Sequence, residues 1–521
     1  MQEDVRTFSK IEAITALRSR FTIEDGLFLI VFLIWITAGY KIVSILGYTP
    51  HGDSPYFMAW IINFHNGNFA DPVNYGELIY YPPMLAFVGT VVYTIFHPNL
   101  SEMFGLYAPY FNVPAILVFY FINRKLFGPR AALFSTYFLL FVMPSTSFHL
   151  IRLHSIVLQY SFTFLLIYFM HNRRYIASGI VLGLITLTSI ITTLVAGFSV
   201  LCYLIIRREF KYAFITPSIG AAISSPFWAP LAIKYGFHIT SAASFGSWVE
   251  ALSADFWGIG LLTFLLAVWG LLDILRRNNH AIPFVASFLG VATAGKALQQ
   301  ISYRIYGVYF NPHEFVHLAQ LPLAIFAGCA LDSIHSKISK KKVFTLIFLA
   351  LLVVYPETSM ITWYNFETTR VMQGADVPSE AKFLMYPEGS IKQLIDWVNS
   401  NTEINDVILA HEYVSYWWIS GWTGRKVLVY RADHPNYFLS PNHLKRNQDA
   451  AYIFHHLHSN KIDDETIFLL KFYGIRYIIV SSWEKAEYGV DPVEMGKLPT
   501  LSLRAEFHET DDIYVFQTMG L

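Results

Sequence analysis

The chain has 521 residues, 54% of them apolar and 14% charged, with 37 Lys and Arg balancing 37 Asp and Glu. Globular proteins carry nearer a quarter charged residues, and repeated apolar runs of roughly 16–20 residues suit a polytopic helical membrane protein. No basic face or stripe is present, which argues against nucleic acid as a partner. Cys202 and Cys329 both fall in apolar segments and suit neither a disulfide nor a zinc site.

Residues 1–26 are charged and amphipathic, with no small-residue cleavage site behind them, and read as a cytoplasmic N-terminus rather than a removable signal. A first span at 27–46 leads into a loop, 47–105, that contains no Lys or Arg but carries Asp53, Asp71, Glu77 and Glu102 among many aromatics. The cations gather elsewhere: Arg6–Arg20, Arg124–Arg130, Arg173–Arg174, Arg207–Lys211, Arg276–Arg277 and Lys337–Lys342. If all these groups are cytoplasmic, an even number of crossings separates each from the next. The parity demotes the short run 82–97, opened by Tyr80-Tyr81-Pro82-Pro83, to an interfacial or re-entrant helix. It also divides 175–206 into two short helices with a hairpin near 189–193.

With 106–123 as the second crossing, the remaining spans are expected at 131–148, 156–170, 212–231, 256–274, 281–298, 316–333 and 343–363, about eleven crossings in all. External loops follow at 47–105, 149–155, 232–255 and 299–315. About eighteen Lys and Arg then lie inside, against five elsewhere: Lys41, Arg152, Lys234, Lys296 and Arg304. From 364 to 521 the composition is that of an extracytoplasmic α/β domain, with helices predicted at 391–399 and 463–473 and strands at 407–410, 427–430 and 477–481. The fold expected is therefore a transmembrane module, 27–363, plus this domain, in a multi-pass plasma-membrane protein.

An enzyme at the outer face has no cytosolic nucleotide sugars to draw on, and a lipid-linked donor solves that problem. Sugar transfer from such a donor needs a base for the acceptor and a cation or metal for the leaving phosphate. Asp53, in the helix start Gly-Asp-Ser-Pro, is the candidate base, and the same residues also suit a helix cap. Arg152, between His149 and His154, can bind phosphate bidentately or simply neutralise a carboxylate. Lys296, Arg304 and His313 are further phosphate candidates, although Arg304 also fits a snorkelling role. His51, Glu77, Tyr81, His154, Glu314 and Trp418 stand as candidates for sugar or acceptor contact. Trp418 lies in the Trp-rich stretch 412–427, which equally suits a packing face. No metal is favoured; Asp53, His313 and Glu314 leave room for a divalent cation, Mg or Mn.

These features together resemble the GT-C superfamily of glycosyltransferases that use polyprenyl- or dolichyl-phosphate-linked donors. The resemblance rests on Asp53 after the first span, Tyr81-Pro82-Pro83, the runs NRKLFGPRAA (123–132) and NPHEFVHLAQLPLAIFAGCALD (311–332), and VILAHEYVSYWWISGWTGRKV (407–427). It is nearest the protein mannosyltransferase-like branch and implies that Asp53 matches the family's first-loop catalytic aspartate. It further implies an inverting transfer to a lipid, glycan or protein acceptor. The 407–427 stretch is similar in layout to the WWDYG region of oligosaccharyltransferase subunits, but reads Tyr-Trp-Trp-Ile-Ser, and 149–155 lacks an acidic pair. Both departures argue against transfer of a glycan to asparagine. That alternative requires a divalent metal, so activity surviving a chelator would exclude it. A lipid-linked-sugar flippase, the non-enzymatic alternative, calls for polar residues through both leaflets, whereas the polar groups here collect at one face.

Overall fold

The structure, a computed structural model, describes residues 21–45, 54–73, 75–79, 81–143, 150, 153–236, 261–276, 282–306, 312–338, 387–429, 442–457 and 462–520. At a few of these, including 299–306, 312–314, Tyr416 and Trp417, it describes the backbone alone. The expected span 343–363 lies outside them.

The bundle opens with α1 (Ile23–Ile45). The first loop is itself folded: α2 (Ser54–His65), the antiparallel pair β1 (Ala70–Asp71) and β2 (Glu77–Leu78), α3 (Met84–Phe96) and α4 (Leu100–Phe104). The helix read at 82–97 is α3, started by Pro82-Pro83. The crossing read at 106–123 comes in two steps, α5 (Ala108–Phe111) and α6 (Val113–Phe127), offset at Asn112. α7 (Pro129–Tyr137) runs into a π-helical turn, Phe138–Val142. It stops at an extended Met143 because Pro144 follows and disfavours helical backbone before it.

Next come α8 (Ser155–His171), α9 (Tyr175–Thr186) and α10 (Ile190–Ile206). The break in 175–206 falls at 187–189, slightly ahead of the expected hairpin. Ser189 caps α10, its hydroxyl accepting from the Thr192 amide at 3.2 Å. The bundle ends with α11 (Phe210–Tyr235), α12 (Leu261–Arg276), α13 (Ile282–Tyr306) and α14 (Pro312–Lys337). The loop expected at 299–315 is mostly helix, since ALQQISYRIY (297–306) contains neither Gly nor Pro before Gly307.

Among the described residues, two helices are long and apolar enough to cross a bilayer on length and composition: Ile23–Lys41, with 19 residues, and Phe315–Lys337, with 23. Other apolar helical segments, among them Ser155–His171 and Ile282–Leu298, run 10–17 residues, so the number of crossings stays an expectation. α9 and α11 approach closely through Gly179 and Gly183, a small-xxx-small pair. A Cβ at Gly183 would lie 2.8 Å from the Ile223 Cβ and 3.0 Å from the Gly220 carbonyl.

Ion pairs pin one end of the bundle. Arg124 holds Asp25 bidentately, at 2.7 and 2.9 Å, and the Tyr120 hydroxyl donates to the same carboxylate at 2.7 Å. Arg130 reaches Glu24 at 3.2 Å and Asp332 at 3.4 Å. The four helix ends that the parity rule assigns to the cytoplasmic side, those of α1, α6, α7 and α14, therefore meet at one place.

The C-terminal part contains α15 (Gly389–Asn401), β3 (Val407–Leu409), a π-helical turn (Val414–Ser420) with one helical turn after it (Gly421–Thr423), and β4 (Lys426–Val427). Then follow α16 (Asn442–His456), α17 (Asp464–Phe472), β5 (Ile475–Val480), α18 (Ser482–Tyr488), α19 (Pro492–Met495), β6 (Leu501–Phe507) and β7 (Ile513–Thr518). The sheet order is β4-β3-β5-β7-β6, parallel from β4 to β5 and antiparallel beyond. Alternate residues face opposite layers: Ile478, Val480 and Phe516 pack with α16 and α17, and Tyr477, Ile479 and Val515 with α15. The result is a sheet with helices on both faces.

Candidate active site

A second apolar cluster joins the bundle to this domain. It collects Phe57, Trp60 and Phe64 of α2, Met103 and Phe104 of α4, Leu153, Leu231 near the end of α11, and Ile395 and Trp418 from the C-terminal domain. α2, which contributes three of these aromatics, starts at Ser54, the residue that follows Asp53 in the sequence. Ser54 and Pro55 are buried. Phe57 meets Tyr81, Phe104 and His154 at ring distances of 5.9, 6.4 and 6.4 Å. Beneath it the Trp60 indole donates to buried Asp71 at 2.8 Å, which fixes the β1 turn.

His154 caps α8: its Nδ1 accepts the Ile156 amide at 3.2 Å, so Nε2 carries the proton of the neutral ring. The polar chain continues inward. Gln159 Nε2 donates to Ser155 Oγ at 3.4 Å, and the Thr192 hydroxyl donates to Gln159 Oε1 at 2.9 Å. The starts of α8 and α10 are thereby tied together. The Met84 amide of α3 donates to the Leu187 carbonyl at 2.9 Å, which brings the break between α9 and α10 to the same end.

Glu77 takes two cations. Lys234, at the end of α11, lies at 2.8 Å, and Arg446, on α16, at 3.3 Å with only 4% of its side chain exposed. The guanidinium also sits 5.6 Å from the centre of the Tyr75 ring. Tyr75 has left-handed backbone, φ 56°, and is held there by its hydroxyl donating to the Tyr473 carbonyl at 2.7 Å. Burial pushes the Tyr75 phenol above its ordinary value; Arg446 opposes that shift and Glu77 adds to it. Glu77 is thus a three-way joint between first loop, bundle and C-terminal domain.

The Trp-rich stretch lies face down on α2. Trp418 is 6% exposed. A Cβ at Gly421 would come within 2.7 Å of the Pro55 Cβ, two residues from Asp53. Asn63 Nδ2 donates to the Gly424 carbonyl at 2.6 Å, and the Val427 amide donates to the Pro72 carbonyl at 3.0 Å. Trp418 is therefore part of the packing against α2.

The remaining candidates divide by position. His51, Asp53 and Arg152 lie outside the described residues. Lys296 is half-buried on α13. Arg304 lies on the last turns of that helix, and His313 and Glu314 on the first turn of α14, with backbone alone described. Gly295 abuts the Phe315 ring, so a Cβ there would lie 2.4 Å from it. Lys296 therefore sits beside the start of α14. No group of three His, Cys, Asp or Glu able to hold a metal occurs among the described residues, and the side chains of the candidate set Asp53, His313 and Glu314 fall outside them. Sequence reasoning missed Arg446 and the glycines at 421 and 424. The closely spaced glycines beside buried aromatics were the one available signal for the docking.

A helical bundle whose first loop folds into short helices packed against a C-terminal α/β domain has counterparts among solved structures. Two solved structures share it. ArnT from Cupriavidus metallidurans, bound to undecaprenyl phosphate, superposes with a TM-score of 0.57 over 94% of this chain and 97% of that one, at 14% identity. The archaeal oligosaccharyltransferase AglB from Archaeoglobus fulgidus, in complex with an inhibitory peptide and a dolichol-phosphate, gives 0.52 over 88% of this chain and 69% of that one, at 13% identity. No protein-family model and no curated protein matches the sequence. At these identities the likeness carries the fold.

Proposed function

We propose that the protein is a membrane glycosyltransferase that moves a sugar from a polyprenyl- or dolichyl-phosphate carrier to an acceptor hydroxyl at the extracytoplasmic face. The observation that carries the reading is the end-to-end likeness to ArnT bound to undecaprenyl phosphate. The C-terminal domain packed against the helix that follows Asp53 gives further support.

In this reading Asp53 takes the acceptor's proton as its oxygen bonds to the anomeric carbon. The bond from that carbon to the phosphate oxygen breaks, and its electron pair leaves with the phosphate. Charge grows on that phosphate while the sugar becomes oxocarbenium-like, so cations fixed nearby lower the barrier. Arg152, Lys296, Arg304 and His313 are the groups assigned to it, and attack opposite the leaving group inverts the anomeric centre. A divalent ion at Asp53, His313 and Glu314 would supply further positive charge at the same place. The acceptor is a lipid, glycan or protein hydroxyl.

The test is Asp53→Asn in purified protein, with products followed by mass spectrometry of lipid-linked sugars. Loss of the base is expected to slow transfer about 10²–10⁴-fold. Near-normal turnover by the variant would refute the assignment.

A further inference from the structure

We propose that the end of the C-terminal domain formed by the start of α16 and the end of α17 is a membrane-docking surface. Its apolar side chains dip into the lipid interface, and its lysines meet anionic lipid phosphates. The proposal does not rest on the sugar-transfer reading.

The two helices run antiparallel. The Tyr473 hydroxyl donates to Asp449 at 2.6 Å, and the Tyr452 hydroxyl donates to Asp463 at 2.8 Å. Leu444 and Lys445 therefore lie at the same end of the domain as Lys471 and Phe472. That end carries large apolar side chains open to the surroundings: Leu444 is 60% exposed, Phe468 55% and Phe472 63%, with the two Phe rings stacked at 5.7 Å. An ordinary water-facing surface seldom groups such residues.

The position of this end relative to the bilayer follows from its ion pairs. Arg446, one residue from Lys445, binds Glu77, and Glu77 binds Lys234 on α11. Beside Lys234, Ile233 is 86% exposed on the outside of the bundle, as expected of a side chain facing lipid. The hydrocarbon boundary is therefore reached within two ion pairs of Lys445.

The charge pattern agrees. Lys445 and Lys471 are exposed beside Leu444 and Phe472, while the acidic residues of α17, Asp464 and Glu465, are exposed one turn before Phe468, at the start of the helix. A face of exposed apolar and aromatic residues flanked by lysines matches the interfacial region of a bilayer and its anionic phosphates. The surface is continuous with the joint between domain and bundle, since Lys445 is followed by Arg446, whose partner Glu77 also holds Lys234 at the end of α11.

The experiment uses the full chain in nanodiscs of phosphatidylcholine, with or without phosphatidylglycerol. A fluorescent NBD label is carried at Phe472→Cys or Phe468→Cys in a Cys202→Ser background, because Cys202 is exposed and Cys329 buried. Lipids bearing a shallow nitroxide act as quencher. Arg504→Cys, on β6, is the control, since β4 meets the first loop and β6 is the opposite edge of the sheet. The labels at 468 and 472 are expected to be quenched at least about twofold more than the label at 504, and more strongly with phosphatidylglycerol. Lys445→Glu with Lys471→Glu is expected to abolish the phosphatidylglycerol increment. Equal quenching at 472 and 504 overturns the proposal. So does a label that is shielded only as protein concentration rises, which would make the face a contact between copies of the chain.

Discussion

At the scale of single residues, burial decides which charges matter. Glu77 faces two cations of unequal setting: the Arg446 side chain is 4% exposed and that of Lys234 is 51% exposed. Arg446→Ala removes a buried partner, and losses of this kind cost roughly 3–5 kcal/mol. Lys234→Ala removes a solvated one, worth about 0–1 kcal/mol. Thermal unfolding in detergent is expected to separate the two variants by several degrees, and equal shifts would show that Arg446 is not the clamp. His508 makes a second residue-scale case. It lies 2.8 Å from Asp512 and 3.2 Å from Glu506, at the hairpin tip whose Thr510 amide donates to Ser390 at the start of α15. Asp512 first, then Glu506, holds the imidazole above its ordinary value of 6.5. The raised folded value means that the stabilisation is complete below 6.5 and is lost as pH climbs through the raised value. Asp512, held below 3.8 chiefly by His508, contributes above that value and loses its share as pH falls through the lowered one. Amide exchange at 508–512, normalised for the intrinsic rate, is therefore expected to slow from pH 8 to about pH 6. His508→Gln should remove that trend.

At the scale of elements, close approach and chain breaks set the packing. α9 meets α11 through Gly179 and Gly183, where a methyl group would strike Ile219, Ile223 and the backbone. Gly183→Ala is expected to cost about 1–3 kcal/mol as overpacking. Gly197→Ala, on α10 with nothing within 4 Å of the new methyl, should be neutral or stabilise by up to about 1 kcal/mol. Unfolding temperatures of the pair check this, and a drop of equal size in both would point to the backbone rather than the contact. The sequence made several elements legible for simple reasons. The run 175–206 had cationic ends on both sides and had to turn back, and Tyr81-Pro82-Pro83 had to start a helix. The apolar segments at 407–410 and 477–481 were strands too short for anything else. The π-helical turn at 414–420 has no compositional mark. The β6–β7 hairpin does: LSLRAEF alternates, with Arg504 and Glu506 on its open side, but a reading drawn to apolar runs passes over it. The expected loop at 299–315 was misjudged because polarity, rather than a breaker, was taken to end α13.

At the scale of the whole molecule, the two ends of the bundle differ in how their charges are used. At one end Arg124 and Arg130 are absorbed by Asp25, Glu24 and Asp332, tying together helices that follow one another around the bundle. At the other, Glu77 joins residues 157 and 369 positions away, Lys234 and Arg446. A partnership of that length leaves no trace in local pattern, so the role of Glu77 as a joint is not legible there. Trp418 was ambiguous for the same reason: composition does not distinguish a stacking surface from a buried anchor. The cation distribution, by contrast, sets an expected polarity for the bundle, and it yields a direct test. If the Arg124 end is cytoplasmic and the Glu77 end extracytoplasmic, a membrane-impermeant thiol reagent should label Lys497→Cys in intact cells. It should label Lys125→Cys only after permeabilisation, both in a Cys202→Ser background. Lys497 is well suited because its side chain is 61% exposed, and Lys125 because it lies on the last turn of α6 beside Arg124. Labelling in the reverse order would invert the bundle and place Asp53 in the cytoplasm. A lipid-linked donor presented at the outer face could not reach it there, and the proposed transfer would fail with the topology.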